Sequence, residues 1–175
     1  MEWNTANRTM LRYDIINFLI KKNGYTSFLE IGTEYGENIS RVKCQLKENI
    51  DPDKKFDPLT YEMTSDEAFQ LIKKESKTYD IIFIDGSHFE KQVDRDIQNS
   101  LDVLNPNGVI ILHDCLPPTK EHASDPRTRE INWNGTVYKS IINLRYNRPD
   151  LFIRTVHTDW GCGIVKKSKI PQPLY

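Results

Sequence analysis

Apolar residues recur along the chain in two rhythms, one helical and one of short strands. In "NTANRTMLRYDIINFLIKKNG", residues 4–24, Leu11, Ile15 and Leu19 fall four apart with Ile16 and Ile20 beside them. That spacing predicts a helix, and Gly24 is placed to cap its C-terminus. "SFLEIG" (27–32) reads as a short strand closing on glycine. "ENISRVKCQLK" (37–47) has the spacing of a helix with Ile39, Val42 and Leu46 inward. "ENID" and "LTYEM" read as short strands, the first stopped at Pro52. "TSDEAFQLIKKE" opens with Thr64 and carries Glu67 three residues on, the spacing of a capping box at a helix start.

"YDIIFID" is apolar almost throughout, as in a strand covered on both faces. The next segment, "HFEKQVDRDIQNSLDVL", puts Phe89, Val93, Ile97 and Leu101 on one helical stripe. Asn105 to Gly108 forms a turn, and "VIILHD" is a second buried strand. "GTVYKSIINLR" returns to helix, and "LFIRTVHTD" with "GCGIVKK" makes a closing strand pair. Residues 115–134 hold prolines and charges without periodicity, and loops of that length usually carry function. Strands alternating with helices imply a mostly parallel sheet wound on both faces, which binds ligands at the carboxyl ends of its strands.

Bulk properties narrow the partners. A chain of 175 residues is enough for one domain, 1–175, with a real core. The formal net charge of −1 lacks the basic surplus expected of a nucleic-acid or membrane binder. No apolar run approaches the ~20 residues of a membrane helix, and the N-terminus has no signal pattern. Cys44, Cys115 and Cys162 are odd in number and widely spaced, so neither a disulfide framework nor a zinc set is expected. The expectation is a cytoplasmic protein with reduced thiols.

The candidate chemistry gathers at predicted strand ends. In "SFLEIGTEYGEN", Gly32 suits a tight turn out of the strand, and Gly36 would open a helix where a ligand comes close. The third glycine of a dinucleotide fingerprint and the lysine of a P-loop are both missing. A single nucleoside with an amino-acid tail fits better. Asp51 lies at the distance of a ribose-diol acceptor, roughly 20 residues on, and would equally serve a turn before Pro52; Asp53 is a second candidate. Thr64, Ser65 and Asp66 are placed to reach an adenine edge or to cap a helix.

Asp85 and Asp114 close two strands, and neighbouring strand ends lie roughly 5 Å apart. Carboxylates so close repel unless a cation sits between them. Strand alternation turns His113 to the opposite face, so it joins them only where the strand has already turned. Two carboxylates with an imidazole suit a divalent ion such as Mg²⁺ or Mn²⁺, the imidazole weighing against Mg²⁺. Otherwise Asp85 orients a cofactor or caps a helix, and Asp114 binds loop amides. His88, three residues after Asp85, is either a proton acceptor near neutrality or a surface histidine at a helix start. His122 and His157 have no such neighbours and are expected at the surface. Trp133 and Trp160 line an acceptor pocket or simply pack.

The segments "FLEIGTEYGEN", "IDPD", "MTSDEAF", "YDIIFIDGSHFEKQVDRDI", "GVIILHDCLPPT" and "WNGTVYKSI" together resemble the class I S-adenosylmethionine-dependent methyltransferases. The likeness is to a short branch related to the metal-dependent sugar O-methyltransferases, with features of the catechol type; "DWGCGIV" fits its terminal strand. The resemblance implies a Rossmann-like, doubly wound, mostly parallel seven-stranded sheet with an antiparallel last strand. It implies that Glu30 holds the methionine amino group and that Gly32, Thr33 and Gly36 pack on the methionine and ribose. Asp51 would take the ribose, Ser65 would border the adenine, and His88 would be the general base. At the metal positions an imidazole, His113, stands where the sugar enzymes carry an acid, and Cys115 stands where the catechol type carries asparagine.

The expected activity is methyl transfer from S-adenosylmethionine to a hydroxyl oxygen of a small acceptor, a sugar or glycan among them. Oligomerisation would serve to complete the acceptor pocket. The rivals are a module that binds S-adenosylmethionine without turnover, and a nicotinamide-dependent oxidoreductase, against which the missing glycine argues.

Overall fold

The computed structural model describes residues 10–128 and 132–168. The helix expected from residue 4 runs as α1, Arg12–Asn23, and its first residues lie outside the described part. Gly24 caps α1 in the left-handed conformation, φ 69°, and its N–H donates to the Ile20 carbonyl. Then come β1 (Ser27–Ile31), β2 (Leu46–Asp51), β3 (Tyr61–Glu62), α2 (Ser65–Lys74), β4 (Tyr79–Ile84), α3 (Glu90–Val103), β5 (Leu104–Leu112), α4 (Val137–Asn147), β6 (Leu151–Val156) and β7 (Cys162–Lys167).

The seven strands form one sheet in the order β3-β2-β1-β4-β5-β7-β6. The first five pair in parallel, and β7 runs antiparallel between β5 and β6. Strand alternation splits the core in two. Leu29, Ile31, Ile82, Ile84, Ile110 and Leu112 face the helix layer of α2, α3 and α4. Phe28, Ile81, Phe83, Val109 and Ile111 face α1 and the β1–β2 connection. The expected turn at 105–108 appears within β5, where pairing jumps from Leu104 opposite Tyr79 to Val109 opposite Ile81.

The expected helix over 37–47 does not form. Residues 34–41 make successive turns, and Leu46 is half exposed at the start of β2. Ile39 and Val42 are buried as expected, but against α1 without a helix of their own. Side chains take the backbone groups a helix would use: Asn17 of α1 donates to the Arg41 carbonyl and accepts from the Lys43 N–H. Gly36 therefore opens no helix. It adopts φ 74°, and a side chain there would overlap the Phe56 ring, so packing rather than a ligand demands the glycine.

Among the described residues, no helix is long and apolar enough to cross a membrane. All three cysteines are free, and Cys115 and Cys162 are buried.

Candidate active site

Strands β1, β2, β4 and β5 end along one rim, and a cleft of about 920 Å³ opens beyond it. That volume lies within the usual range for small-molecule sites. Glu30, Gly32, Thr33, Asp51, Thr64, Ser65, Asp66, Asp85, His88, His113, Asp114, Trp133 and Trp160 all border it. Gly36 and Asp53 do not.

The β1 end is built for a cationic or hydrogen-bond-donating ligand. Glu30 is 1% exposed and accepts from Asn38 Nδ2 at 2.9 Å through one oxygen; its other oxygen, Oε2, is buried without a partner. Burial pushes its carboxyl up to about 8, the Asn38 hydrogen bond offsetting part of the rise. The Thr33 hydroxyl is also buried and unpartnered. Gly32, at φ 83°, lets the ends of β1 and β4 meet, since a side chain there would overlap the Asp85 carbonyl. Asp51 accepts from the Glu34 N–H at 2.8 Å and the Asp53 N–H at 2.9 Å, so it organises the turn while bordering the cleft. Asp53 contributes its N–H to that turn and is exposed.

At the β3 end, Thr64 caps α2 in a capping box with Glu67. Ser65 donates to Asp96 Oδ1 at 2.6 Å, and Gln92 Nε2 reaches Ser65, Asp66 and Asp96 within 3.3 Å. Asp96 is 1% exposed, its Oδ2 has no partner, and burial raises its pKa. Asp96 lies on the same stripe of α3 as Val93, Ile97 and Ser100, so an acid on an otherwise inward face was the signal that could have found it.

The β4 and β5 ends hold an ionic cluster. Strand β5 stops at Leu112, and Asp114 turns left-handed, φ 59°. The strand has thus already turned, and His113 joins the acids. Its Nδ1 faces Asp85 at 3.2 Å and Asp114 at 3.6 Å, and its Nε2 faces Asp159 at 3.5 Å. Desolvation opposes the charged ring, but the surrounding acids outweigh it and hold the pKa of His113 far above its ordinary value. Asp159 falls to about 2: hydrogen bonding to His113 and to the Arg12 N–H overcomes its desolvation. Arg12 Nη1 lies 3.2 Å from Asp159, and Arg12 Nε lies 3.9 Å from Asp85. Asp85, His113 and Asp114 can each bring one ligand atom within 4.8 Å of the others. As a donor set, two carboxylates and an imidazole fit a divalent cation, provided the cation displaces the Nδ1 proton that the acids hold on His113.

His88 stands over this cluster. Its Nδ1 lies 2.6 Å from the Trp133 carbonyl, and its ring stacks on the Trp133 indole at 5.5 Å. A carbonyl only accepts, so Nδ1 carries a proton, and in the neutral ring Nε2 keeps the lone pair. Nε2 points at Asp114 Oδ2, 3.3 Å away. Asn134 fixes that carboxylate, donating to Asp114 Oδ1 at 2.6 Å. Trp160 is 38% exposed, and its ring stacks on His122. His122 is therefore buried, contrary to expectation, and its carbonyl accepts from the Asn134 and Gly135 N–H groups. His157 is exposed, as expected. Arg12, Asn134 and Asp159 carry no local sequence pattern, and only the fold brings them here.

A family model described as "Methyltransferase domain" matches residues 45–115, from the start of β2 to just past β5. Solved structures of methyltransferases share the fold of the chain over most of its length. An O-methyltransferase from Bacillus cereus, solved with SAH, has the same fold at a TM-score of 0.69 and 15% identity, over 90% of this chain and 80% of that one. A protein from Staphylococcus aureus described as a putative caffeoyl-CoA O-methyltransferase superposes at 0.63 with 18% identity, covering 89% and 82%. The mycinamycin-pathway methyltransferase MycE, solved with Mg and SAH, superposes at 0.59 with 18% identity, covering 89% of this chain and 48% of its own. No curated protein sequence matches. The seven-stranded, mostly parallel sheet and the antiparallel β7 are those the sequence resemblance implied.

Proposed function

We propose that the protein transfers the methyl group of S-adenosylmethionine to a hydroxyl oxygen of a small molecule, with a sugar or glycan as the acceptor class. The observation that carries this reading is the orientation of His88. The Trp133 carbonyl takes the Nδ1 proton and aims Nε2 at the Asp114 carboxylate on the cleft wall, where Nε2 would take up a proton once an acceptor hydroxyl displaces that contact. The sulfonium donor would lie along the rim with its ammonium at Glu30 Oε2, its methionine and ribose beside Gly32 and Thr33, and its ribose hydroxyls at Asp51. The purine would lie near Thr64, Ser65 and Asp66. The methyl group would then face the ends of β4 and β5, near Asp85.

In the reaction the acceptor oxygen attacks the methyl carbon in line. The new O–C bond forms as the S–C bond breaks, the hydroxyl proton passes to His88 Nε2, and a methyl ether and S-adenosylhomocysteine leave. Orientation supplies most of the acceleration, and the base adds about 10²–10⁴-fold. Asp85, His113 and Asp114 would hold a divalent ion, whose chemistry when bound is to lower the pKa of a coordinated hydroxyl. Asp114, anchored by Asn134, also faces the imidazolium that His88 becomes. Trp160, stacked on His122 and 38% exposed, offers an apolar ring surface to a ring-shaped acceptor, while the Trp133 ring is occupied by His88 and Arg127.

Calorimetry with S-adenosylhomocysteine and NAD side by side tests the donor. Binding of S-adenosylhomocysteine alone is expected, and its failure to bind sinks the reading. Binding without donor consumption across a panel of hydroxylated acceptors would leave a module that holds the donor without turnover.

A further inference from the structure

We infer that Asp159 is a positioning residue: it takes the Nε2–H of His113 and so presents Nδ1 as the third ligand of a divalent cation, beside Asp85 and Asp114. This rests on the proposed reading in which those three residues hold a divalent ion, and it names the binding nitrogen and the residue that sets it. His113 is buried among three carboxylates. Its Nδ1 faces two of them, Asp85 Oδ1 at 3.2 Å and Asp114 Oδ2 at 3.6 Å. Its Nε2 faces the third, Asp159 Oδ1, at 3.5 Å. That contact is long for a hydrogen bond, yet among the described residues Nε2 has no partner at shorter range. A carboxylate only accepts, so Nε2 keeps its proton toward Asp159, and Nδ1 is the nitrogen left to bind an ion. The ion displaces the Nδ1 proton to solvent. Metal-binding imidazoles donate their other N–H to a carboxylate in this way, which fixes the ring and strengthens the ligand.

Asp159 is itself held in place. Its side chain is 6% exposed. The Arg12 N–H donates to its Oδ2 at 2.8 Å, and Arg12 Nη1 reaches Oδ2 at 3.2 Å and Oδ1 at 3.4 Å. The turn that delivers it is strained: Asp159, Trp160 and Gly161 are left-handed in succession, at φ 46°, 63° and 90°. A bulky side chain rarely adopts that conformation, and such strain persists where the surroundings over-determine it, most often at functional sites. Here the Leu116 N–H donates to the Trp160 carbonyl at 2.8 Å, and the Cys115 N–H to the Gly161 carbonyl at 3.0 Å. These bonds fasten the turn to the residues that follow Asp114. Ligands and brace therefore form one unit, assembled from α1, the end of β5 and the β6–β7 turn. A site with a nitrogen ligand favours Co²⁺ over Mg²⁺, which prefers oxygen.

The test measures the Co²⁺ and Mg²⁺ affinities of the full chain by calorimetry, with S-adenosylhomocysteine affinity as the check on the fold. The wild type is expected to favour Co²⁺ by at least about tenfold. Asp159→Asn is expected to lower Co²⁺ affinity by about 10–100-fold and Mg²⁺ affinity by no more than about threefold. A carboxylate acting through its charge alone would weaken both cations together, and an unchanged ratio overturns the inference. So does an Asp159→Asn effect that persists in full in a His113→Gln background, since a residue acting through His113 adds nothing once the ring is gone. Should these variants fail to fold, electron spin echo spectra of the Mn²⁺-loaded wild type and of His88→Ala still decide. Nitrogen coupling from a directly bound imidazole is expected in both, and its absence overturns the inference. If the wild type binds S-adenosylhomocysteine but no divalent cation, the metal reading has failed, and this inference with it, while the donor reading stands.

Discussion

The two halves of the sheet rim hold their acids in opposite ways. Along β1 and β2 the key acids are held by neutral groups: Glu30 hydrogen-bonds Asn38 and has its pKa raised by burial, and Asp51 is tied by two backbone amides. Along β4, β5 and the β6–β7 turn, the acids face charged or chargeable partners: Asp85, Asp114 and Asp159 surround His113, with Arg12 and His88 at the margin. Burial with spare acceptor atoms suits a ligand that brings its own donors, as an ammonium and a ribose do. A charged lattice suits moving a proton and stabilising charge. On the proposed reading, binding and chemistry would fall to different halves of one rim.

The sharpest way to break that division is His88→Ala. Turnover should fall by about 10²–10⁴-fold, with S-adenosylhomocysteine affinity by calorimetry within about twofold of wild type. Parallel loss of both would merge the halves. Gly32→Ala strikes the seam between them. The added methyl meets the Asp85 carbonyl at a left-handed φ, so urea denaturation should show a loss of about 3 kcal/mol. Asp51→Ala tests the binding half: nucleoside affinity should weaken by roughly 1–3 kcal/mol, and unchanged affinity would leave Asp51 a turn residue only. Thr64→Ala should cost about 1 kcal/mol of stability through the lost helix cap, with little change in S-adenosylhomocysteine affinity.

Glu30 gives the subtlest readout. Between its ordinary value of 4.5 and about 8, the folded protein holds a proton that the unfolded chain releases. Stability of the free protein should therefore decline as pH rises through that window and level off above it. An ammonium at Oε2 favours the ionised form. S-adenosylhomocysteine binding at pH 6 should then release up to about one proton, seen as a dependence of calorimetric heat on buffer ionisation enthalpy. Glu30→Gln should abolish it.

The rim was legible because parallel strands announce themselves. "YDIIFID" and "VIILHD" are apolar runs ending in acids, and their register brings Ile84 opposite Leu112, so Asp85 emerges level with His113 and one residue from Asp114. The capping box at Thr64 was equally plain, since its partners are three residues apart. Between Gly36 and Gln45 the apolar spacing suited a helix, yet Asn17, far off in sequence, holds the backbone in turns. His113 escaped strand alternation because β5 ends one residue before it.

By itself, then, the sequence determined the order of the strands and of the helices other than the one expected over 37–47, the acids at the strand ends and His88 beside them. These depend on local periodicity and on spacings of a few residues. Tertiary structure alone decided which His88 nitrogen turns to the Trp133 carbonyl and which to Asp114, that Ser65 donates to Asp96, and that Arg12, Asn134 and Asp159 join the cluster. Hydrogen-bond direction and burial are set by partners from distant parts of the chain, and no local pattern encodes them.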